Sequence, residues 1–415
     1  MFSITVVLLK LIFILIQTIF IIGVAPILSR PLINPTRVQD QSKFRDNIKV
    51  AVLLPFHKEH PLSVMRTARS IANQTYPPEL ITVYILIEGE DNITRRSIPT
   101  LVNFFRFRGM NVKVIYTQST YIGKPRAMNQ ALPHVEEDVV VVFDADDIVP
   151  EKYISLVVGE IKKGAAAVTT KVYRIGDKLH SKFIALDTFI WYDIYLPVYM
   201  KFIGYAPMSG EGLAVRREIL NKIGGFPESL TEDAYLTIEL AKIGEKISYL
   251  DSIFIIERAP LSFKALINQR MRWFKGYYEC LRALWRYRRD LGHLKTLKLA
   301  VTYMGPIISM ATTLSYTIFF FYIFGSLFDA VYITSLIKSA ISGPVYYLAA
   351  FMFFGGNLFF TGIILYYFSD TRFESYTPYI YVAFIYWYII GIVALLSLFS
   401  SREWYKTERI GYENA

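Results

Sequence analysis

The chain has 415 residues, of which 53% are hydrophobic and only 19% charged, and its mean hydropathy is +0.33. Soluble domains are usually about a quarter charged, so this balance excludes a disordered chain and an ordinary water-soluble enzyme and assigns part of the chain to lipid. Forty-five Lys and Arg against 35 Asp and Glu give a net charge of +10, and the single cysteine, Cys280, excludes an intramolecular disulfide and a cysteine-built zinc or iron–sulfur centre.

Residues 2–29 carry one charge, Lys10. The run exceeds the roughly 20 apolar residues that cross a hydrocarbon core of about 30 Å, and it predicts an N-terminal transmembrane helix. A signal peptide is the alternative, disfavoured by the length of the run, the lack of preceding basic residues and the lack of a small-x-small cleavage site. Arg30, Arg37, Lys43 and Arg45 follow, and the positive-inside rule puts that side in the cytoplasm.

Over residues 47–274 the charge density is that of a soluble domain. β-Branched runs at 49–54, 81–87, 112–116, 139–143 and 167–172 alternate with longer polar–apolar stretches. This predicts an α/β fold with a mostly parallel sheet flanked by helices, whose ligands bind beyond the carboxyl ends of the strands. The first run leads into Pro55-Phe-His-Lys-Glu59 and the second into Glu88-Gly-Glu-Asp91-Asn-Ile-Thr94. Gly123-Lys124-Pro-Arg126-Ala-Met-Asn129 sets a cation just before a predicted helix, a favourable place for phosphate.

The apolar strand over 138–143 ends in Asp144-Ala-Asp146-Asp147. Carboxylates two residues apart, where a strand gives way to a loop, can jointly hold a hard divalent cation. A solvated turn explains the same pattern taken alone. Farther on, Gly224-Gly225-Phe226-Pro227 makes a tight loop and Thr231-Glu232-Asp233 opens an apolar-periodic stretch over 234–243. Thr231 suits a helix N-cap with acids complementing the helix dipole; the functional reading makes Asp233 a general base.

Gln269, Arg272 and Trp273 share one helical face. The guanidinium suits a diphosphate and the indole a sugar ring, and both also suit an amphipathic helix at a membrane interface. Residues 275–298 continue with Arg282, Arg286, Arg288, Arg289, Lys295 and Lys298, a basic juxtamembrane segment facing lipid headgroups. No reading helix, zinc pattern or RNP motif accompanies the charge, so no nucleic-acid partner is expected.

Three charge-free runs, 299–328, 339–369 and 375–401, each suffice to span a bilayer and predict C-terminal transmembrane helices over 299–401. Without ionisable groups at membrane depth, they anchor or guide and do not pump ions. One crossing before the domain and three after it would leave the tail, 402–415, outside, whereas its Arg402, Lys406 and Arg409 favour the inside; a further crossing or re-entrant turn over 329–338 is the alternative.

These residues, in this order over 47–273, resemble the family 2 glycosyltransferases with a GT-A fold, in the membrane-embedded branch holding cellulose, chitin and hyaluronan synthases and ceramide glucosyltransferases. The marks are the acidic Glu88 after the second strand, Asp144-x-Asp146, Thr231-Glu232-Asp233 and Gln269-x-x-Arg272-Trp273. The resemblance implies that Asp144 and Asp146 bind the nucleotide-sugar with Mg²⁺ or Mn²⁺, Asp146 as the more direct ligand, and that Pro55, Glu59, Glu88, Asp91 and Lys124 contact the nucleotide. It implies Gln269 and Arg272 at the diphosphate, Trp273, Gly210 and Glu232 at the acceptor with Ser209, Gly212 and Arg216 framing it, and Asp233 as the catalytic base.

One departure is Glu88, where many relatives carry Asp; the longer side chain leaves the base open, so a UDP- or GDP-sugar is expected. Asp91 and Thr94 fit the pattern that follows. The expected activity is inverting, metal-dependent transfer to a lipid or glycan acceptor by an integral protein of the cell membrane, with its catalytic domain cytoplasmic. A processive polysaccharide synthase is the alternative, and a noncatalytic scaffold the alternative of another class. The aromatic-rich stretch 178–203, with Phe183, Trp191, Tyr192, Tyr195 and Tyr199, resembles an interfacial helix or is a core helix.

Overall fold

The computed structural model describes residues 2–33, 47–88, 90–117, 123–324, 335, 377–380 and 382–400. They form two compact units, one from the described parts of Met1–Leu32 and Tyr303–Arg402, the other from those of Ile33–Thr302. The chain opens with helix α1, Phe2–Ser29. Among the described residues the stretch Val6–Leu32, with a mean hydropathy of 2.7, is the one helix long and apolar enough by itself to cross a membrane.

The second unit is built on a seven-stranded sheet: β1 Val50–Phe56, β2 Ile81–Glu88, β3 Asn111–Thr117, β4 Val139–Val142, β5 Ala167–Ile175, β6 Leu213–Arg216 and β7 Ile247–Arg258. Their order across the sheet is β3-β2-β1-β4-β6-β5-β7, with β6 antiparallel to both neighbours and all other pairs parallel. The helices are α2 Pro61–Ala72, α3 Asn92–Arg95, α4 Ile98–Phe107, α5 Lys124–Ala131, α6 Tyr153–Lys162, α7 Leu179–Phe189, α8 Leu196–Phe202, α9 Arg217–Ile223, α10 Glu232–Lys242, α11 Phe263–Arg286, α12 Arg288–Leu291 and α13 His293–Thr302.

The two-residue period of a strand explains why both faces of this sheet are covered. Val50, Val52 and Leu54 of β1 and Val139 and Val141 of β4 enter one core with Val64 and Ala68 of α2, Leu101 and Phe105 of α4 and Val157 of α6. Ala51, Leu53, Val140 and Val142 enter the other with Met128 of α5, Leu220 of α9 and Leu236 of α10. The chain runs outward from β1 to β3 and returns to β4 on the other side of β1. The carboxyl ends of β1 and β4 therefore flank the switch point where an open α/β sheet binds its ligand.

Five strands coincide with the five β-branched runs; β6 and β7 do not follow from that signal. β6 has four residues. β7 is interrupted by a register shift opposite Thr170 and Lys171 of β5, where Leu250 and Phe254 are successive partners. The bulge carries Asp251 to the partly buried Lys171 Nζ at 2.6 Å, and Asp193 meets the same amine at 2.6 Å. Asp193 sits in a π-helical turn, Ile190–Tyr195, between α7 and α8. The aromatic stretch is thus three short helical pieces. Its Tyr192 and Tyr199 are buried with Val172, Leu196 and Ala206, which places these two side chains in the domain core and not at an interface.

The first unit adds α14 Gly305–Phe324, α15 Thr377–Ile380 and α16 Ala383–Ser397. Its helices approach closely at small residues. A Cβ on Gly23 would come within 2.6 Å of Ile308 Cγ2, and Gln17 Nε2 donates to Ser315 Oγ at 2.7 Å. A Cβ on Gly391 of α16 would overlap Thr313 Oγ1 and Ser309 O of α14. Gly391→Leu is expected to lose about 1–3 kcal/mol to overpacking, read as a lower melting temperature in detergent. The predicted crossing over 339–369, the segment 329–338 apart from Ser335, the start of the run 375–401, the tail 402–415 and the basic Arg37, Lys43 and Arg45 lie outside the described residues.

Candidate active site

The exit of β1 is tied down by Asp91. Lys58 adopts a left-handed φ of 51°, and its amide donates to Asp91 Oδ2 at 2.6 Å while the Glu59 amide donates to Thr94 Oγ1 at 2.8 Å. Asp91 Oδ1 accepts the Ile93 and Thr94 amides at 3.0 Å each, capping α3. Burial pushes the Asp91 carboxyl up, but hydrogen bonds from Thr94, Lys58 and Ile93 outweigh it and hold the group below its ordinary range. Both its oxygens serve the protein, so Asp91 shapes the wall beside the partly exposed Pro55 and Glu59. Glu88 ends β2 opposite Thr117; its side chain lies outside the described residues.

Lys124 begins α5 and points into the acids. Its Nζ donates to Asp144 Oδ1 at 2.6 Å and to Gly210 O at 3.3 Å, and lies 3.9 Å from Glu232 Oε1. Desolvation pulls this amine's pKa down, and Asp144, Glu232 and Glu211 more than reverse it, holding the pKa above the usual lysine value. The turn after β4 is closed by the third acid of the run: the Asp144 amide donates to Asp147 Oδ2 at 2.8 Å.

Glu211 and Glu257, whose roles no local sequence pattern marks, complete this acidic group. Carboxylate oxygens of Asp146, Asp147 and Glu257 lie within 4.8 Å of one another, as do those of Asp144, Glu211 and Glu257. Glu257 arrives because Ile148 and Ile256 exchange backbone hydrogen bonds of 2.9 and 3.2 Å, clipping the loop after β4 onto the end of β7. Arg174 of β5 pairs with Glu211 at 2.7 Å and with Glu257.

Asp147 Oδ1 is buried with no hydrogen-bond partner among the described residues. Lys124 and Arg174 pair with members of this group, and Arg66 lies close enough to Asp146 to interact with its charge, so among the described residues the five carboxylates still outnumber these three cations. A buried excess of hard oxygen donors suits a divalent cation such as Mg²⁺ or Mn²⁺, so the donor set fits one.

Asp233 stands in the first turn of α10, its Oδ1 accepting the Ala234 amide at 2.7 Å. Thr231 occupies the N-cap position, yet its hydroxyl makes no capping bond. Gly210 is where this acid meets the rest: a Cβ there would lie 3.1 Å from Lys124 Nζ and 3.3 Å from Asp233 Oδ2. A side chain there would have to push both groups back by a few tenths of an ångström. Burial above all, then the charges of Glu232 and Glu211, push the Asp233 carboxyl up to about 7, into the range of a proton acceptor at neutral pH. Gly210→Val is expected to cut turnover at least about tenfold, with the melting temperature checked alongside.

On α11, Gln269 is 2% exposed, and neither atom of its amide group has a hydrogen-bond partner among the described residues. Arg272 Nη1 donates to Leu230 O at 3.1 Å, two residues before Glu232. The Trp273 ring is engaged by two guanidinium groups, Arg174 at 4.9 Å and Arg270 at 4.8 Å from its centroid, and Arg270 is held by Asp187 at 2.7 Å. The indole therefore packs against cations and does not stand as an open platform. Asp144, Asp146, Lys124, Gly210, Glu232, Asp233 and Arg272 are brought together beyond the ends of β1 and β4.

The family model for "Glycosyltransferase like family 2" matches residues 48–276, more than half of the chain. The chain belongs to the family 2 glycosyltransferases, and its fold is of the GT-A type. It is 29% identical over 246 residues to the probable glycosyltransferase YdaM of Bacillus subtilis, covering 56% of this chain and 57% of that protein. It is 26% identical over 256 residues to the beta-monoglucosyldiacylglycerol synthase of a Synechocystis strain, covering 58% and 51%. The chain thus spans between half and three fifths of the length of these relatives. Its fold is similar to that of a Pyrobaculum calidifontis mannosyltransferase solved with GDP-Man and Mn²⁺, with a TM-score of 0.58 and 18% identity over 95% of this chain and 100% of that one.

Proposed function

We propose that the chain is an inverting, metal-dependent transferase that moves one sugar from a UDP- or GDP-sugar to a lipid or lipid-linked acceptor at the cytoplasmic face of the cell membrane. The observation that carries this reading is the approach of Asp233 Oδ2 and Lys124 Nζ to the bare backbone of Gly210, which sets a carboxyl with a pKa near 7 beside the Asp144–Asp146 cluster. Asp233 takes the proton of the acceptor hydroxyl as that oxygen attacks the anomeric carbon. Gln269 and Arg272 orient the diphosphate, Pro55 and Glu59 flank the nucleotide, and Trp273 and Gly210 border the acceptor. Asp144 and Asp146, with Glu257 beside them, would hold Mg²⁺ or Mn²⁺. When bound, the cation supplies charge neutralisation for the departing nucleoside diphosphate.

A lipid acceptor is supported by the apolar α1 and by the likeness to a glucosyldiacylglycerol synthase. The processive reading is supported by a 25% identity over 252 residues to a cellulose synthase catalytic subunit of Pseudomonas fluorescens. Incubation with labelled nucleotide-sugars and membranes separates the two: a single labelled lipid-soluble product is expected, and a ladder or high-mass polymer contradicts single transfer.

A further inference from the structure

We infer that one face of α11 is a clasp that positions Asp233, with Glu279 and Gly276 as its positioning residues; this rests on the transferase reading above. Arg272, Gly276 and Glu279 follow one another at spacings of four and three, which puts them on one side of a helix. Against that side lies the chain that leads into α10. Ser229 Oγ donates to Glu279 Oε2 at 2.9 Å, and the Leu230 amide donates to the same oxygen at 3.3 Å. Leu230 O accepts from Arg272 Nη1 at 3.1 Å.

Thr231 is seated directly on the helix at Gly276. A Cβ there would overlap Thr231 Oγ1 and lie 2.5 Å from its Cγ2 and 2.9 Å from its Cβ. One turn on, Cys280 Sγ is 4.0 Å from Thr231 Oγ1. Three consecutive residues, 229 to 231, are therefore gripped from one helix face immediately before Glu232 and Asp233.

The start of α10 is not fixed by its own cap, because the Thr231 hydroxyl makes no capping bond. Leu236 and Leu240 hold the body of α10 in the core and Thr237 bonds Ala206 and Met208, while the chain entering its first turn is held by α11, the helix that also carries Gln269 and Arg272. The clasp thus holds the base in register with the groups read as touching the diphosphate. A displacement of about 1 Å there costs turnover far more than binding.

The test uses the full chain in detergent. Glu279→Ala is expected to lower kcat about tenfold or more, with donor KM changed less than about threefold and binding of Mn²⁺ with GDP or UDP retained. It is also expected to move the acid limb of the kcat–pH profile that Asp233 sets. Glu279→Gln, whose amide oxygen still accepts both donors, restores most of the rate; Ser229→Ala lowers it in the same direction and adds little to Glu279→Ala. Parent-like kcat in Glu279→Ala, a pH limb that does not move, or Glu279→Gln as impaired as Glu279→Ala overturns the clasp. Should Glu279→Ala not fold, Ser229→Ala alone carries the same comparison. Absence of nucleotide-sugar turnover in the parent protein would overturn the transferase reading and parent-like turnover in Asp233→Asn would remove Asp233 as the base, whereas a strongly impaired Asp233→Asn beside a fully active Glu279→Ala overturns only the clasp.

Discussion

Asp233→Asn is expected to reduce nucleotide-sugar turnover by about 10²–10⁴-fold, the usual contribution of a positioned general base, while Mn²⁺-dependent binding of nucleoside diphosphate persists. The reason is specific to this carboxyl. Its pKa is raised by burial and by Glu232 and Glu211 to about 7, so at neutral pH it is partly ionised and well matched to a hydroxyl proton. In the parent protein kcat should rise about tenfold per pH unit up to about 7 and level off above it, and Asp233→Asn should abolish that limb.

The shift also has a stability consequence, with a definite sign. In the unfolded chain an Asp titrates near 3.9, so the fold binds a proton that the unfolded chain has released. The stability this contributes is fully present below pH about 3.9 and is lost as pH rises through about 7. Asp233→Asn should therefore melt no lower than the parent at pH 8, which separates lost chemistry from lost fold. A melting temperature several degrees below the parent would mean that the side chain is structural.

The second large effect concerns the cation. Asp146→Asn and Glu257→Gln should each weaken Mn²⁺ binding by about ten- to a hundredfold or more, followed by the electron paramagnetic resonance signal of free Mn²⁺. A chelator should stop nucleoside diphosphate release and added Mn²⁺ or Mg²⁺ should restore it. Because the cation binds the folded chain, saturating Mn²⁺ at about 100 times its dissociation constant should stabilise the parent by about 2.7 kcal/mol. Glu257→Gln should lose part of that stabilisation, and unchanged Mn²⁺ affinity would show that Glu257 serves only to hold Arg174.

Much of this site is legible in the sequence because its acids sit where a strong local signal stops. Asp144 and Asp146 follow a buried four-valine strand, and Asp233 opens an apolar-periodic helix. Gln269 and Arg272 fall on one helical face. Glu257 and Glu211 were not legible for the converse reason. Glu257 lies near the end of β7, a strand bent around the Lys171 ion pairs and lacking a continuous β-branched run, and Glu211 stands between two glycines ahead of a four-residue strand. Their partner Arg174 belongs to β5, and nothing in a local pattern pairs a strand residue with acids that lie well beyond the reach of one secondary-structure element.

Trp273 shows the limit of helical-face reasoning. Its position on the face is as expected, but residue spacing carries no information about Arg174 arriving from another element to lie over the ring. The tyrosines of 178–203 show the same limit, since a π-helical turn rotates them relative to an ideal helix and sends Tyr192 and Tyr199 inward.

The most direct measurement is a crystal or electron-microscopy structure of the chain with Mn²⁺ and an unhydrolysed nucleotide-sugar, with the metal located by its anomalous signal or density. The account predicts the metal among Asp144, Asp146 and Glu257, the diphosphate toward Arg272, and the anomeric carbon facing Asp233. A metal bound elsewhere, or a sugar turned away from Asp233, would contradict it.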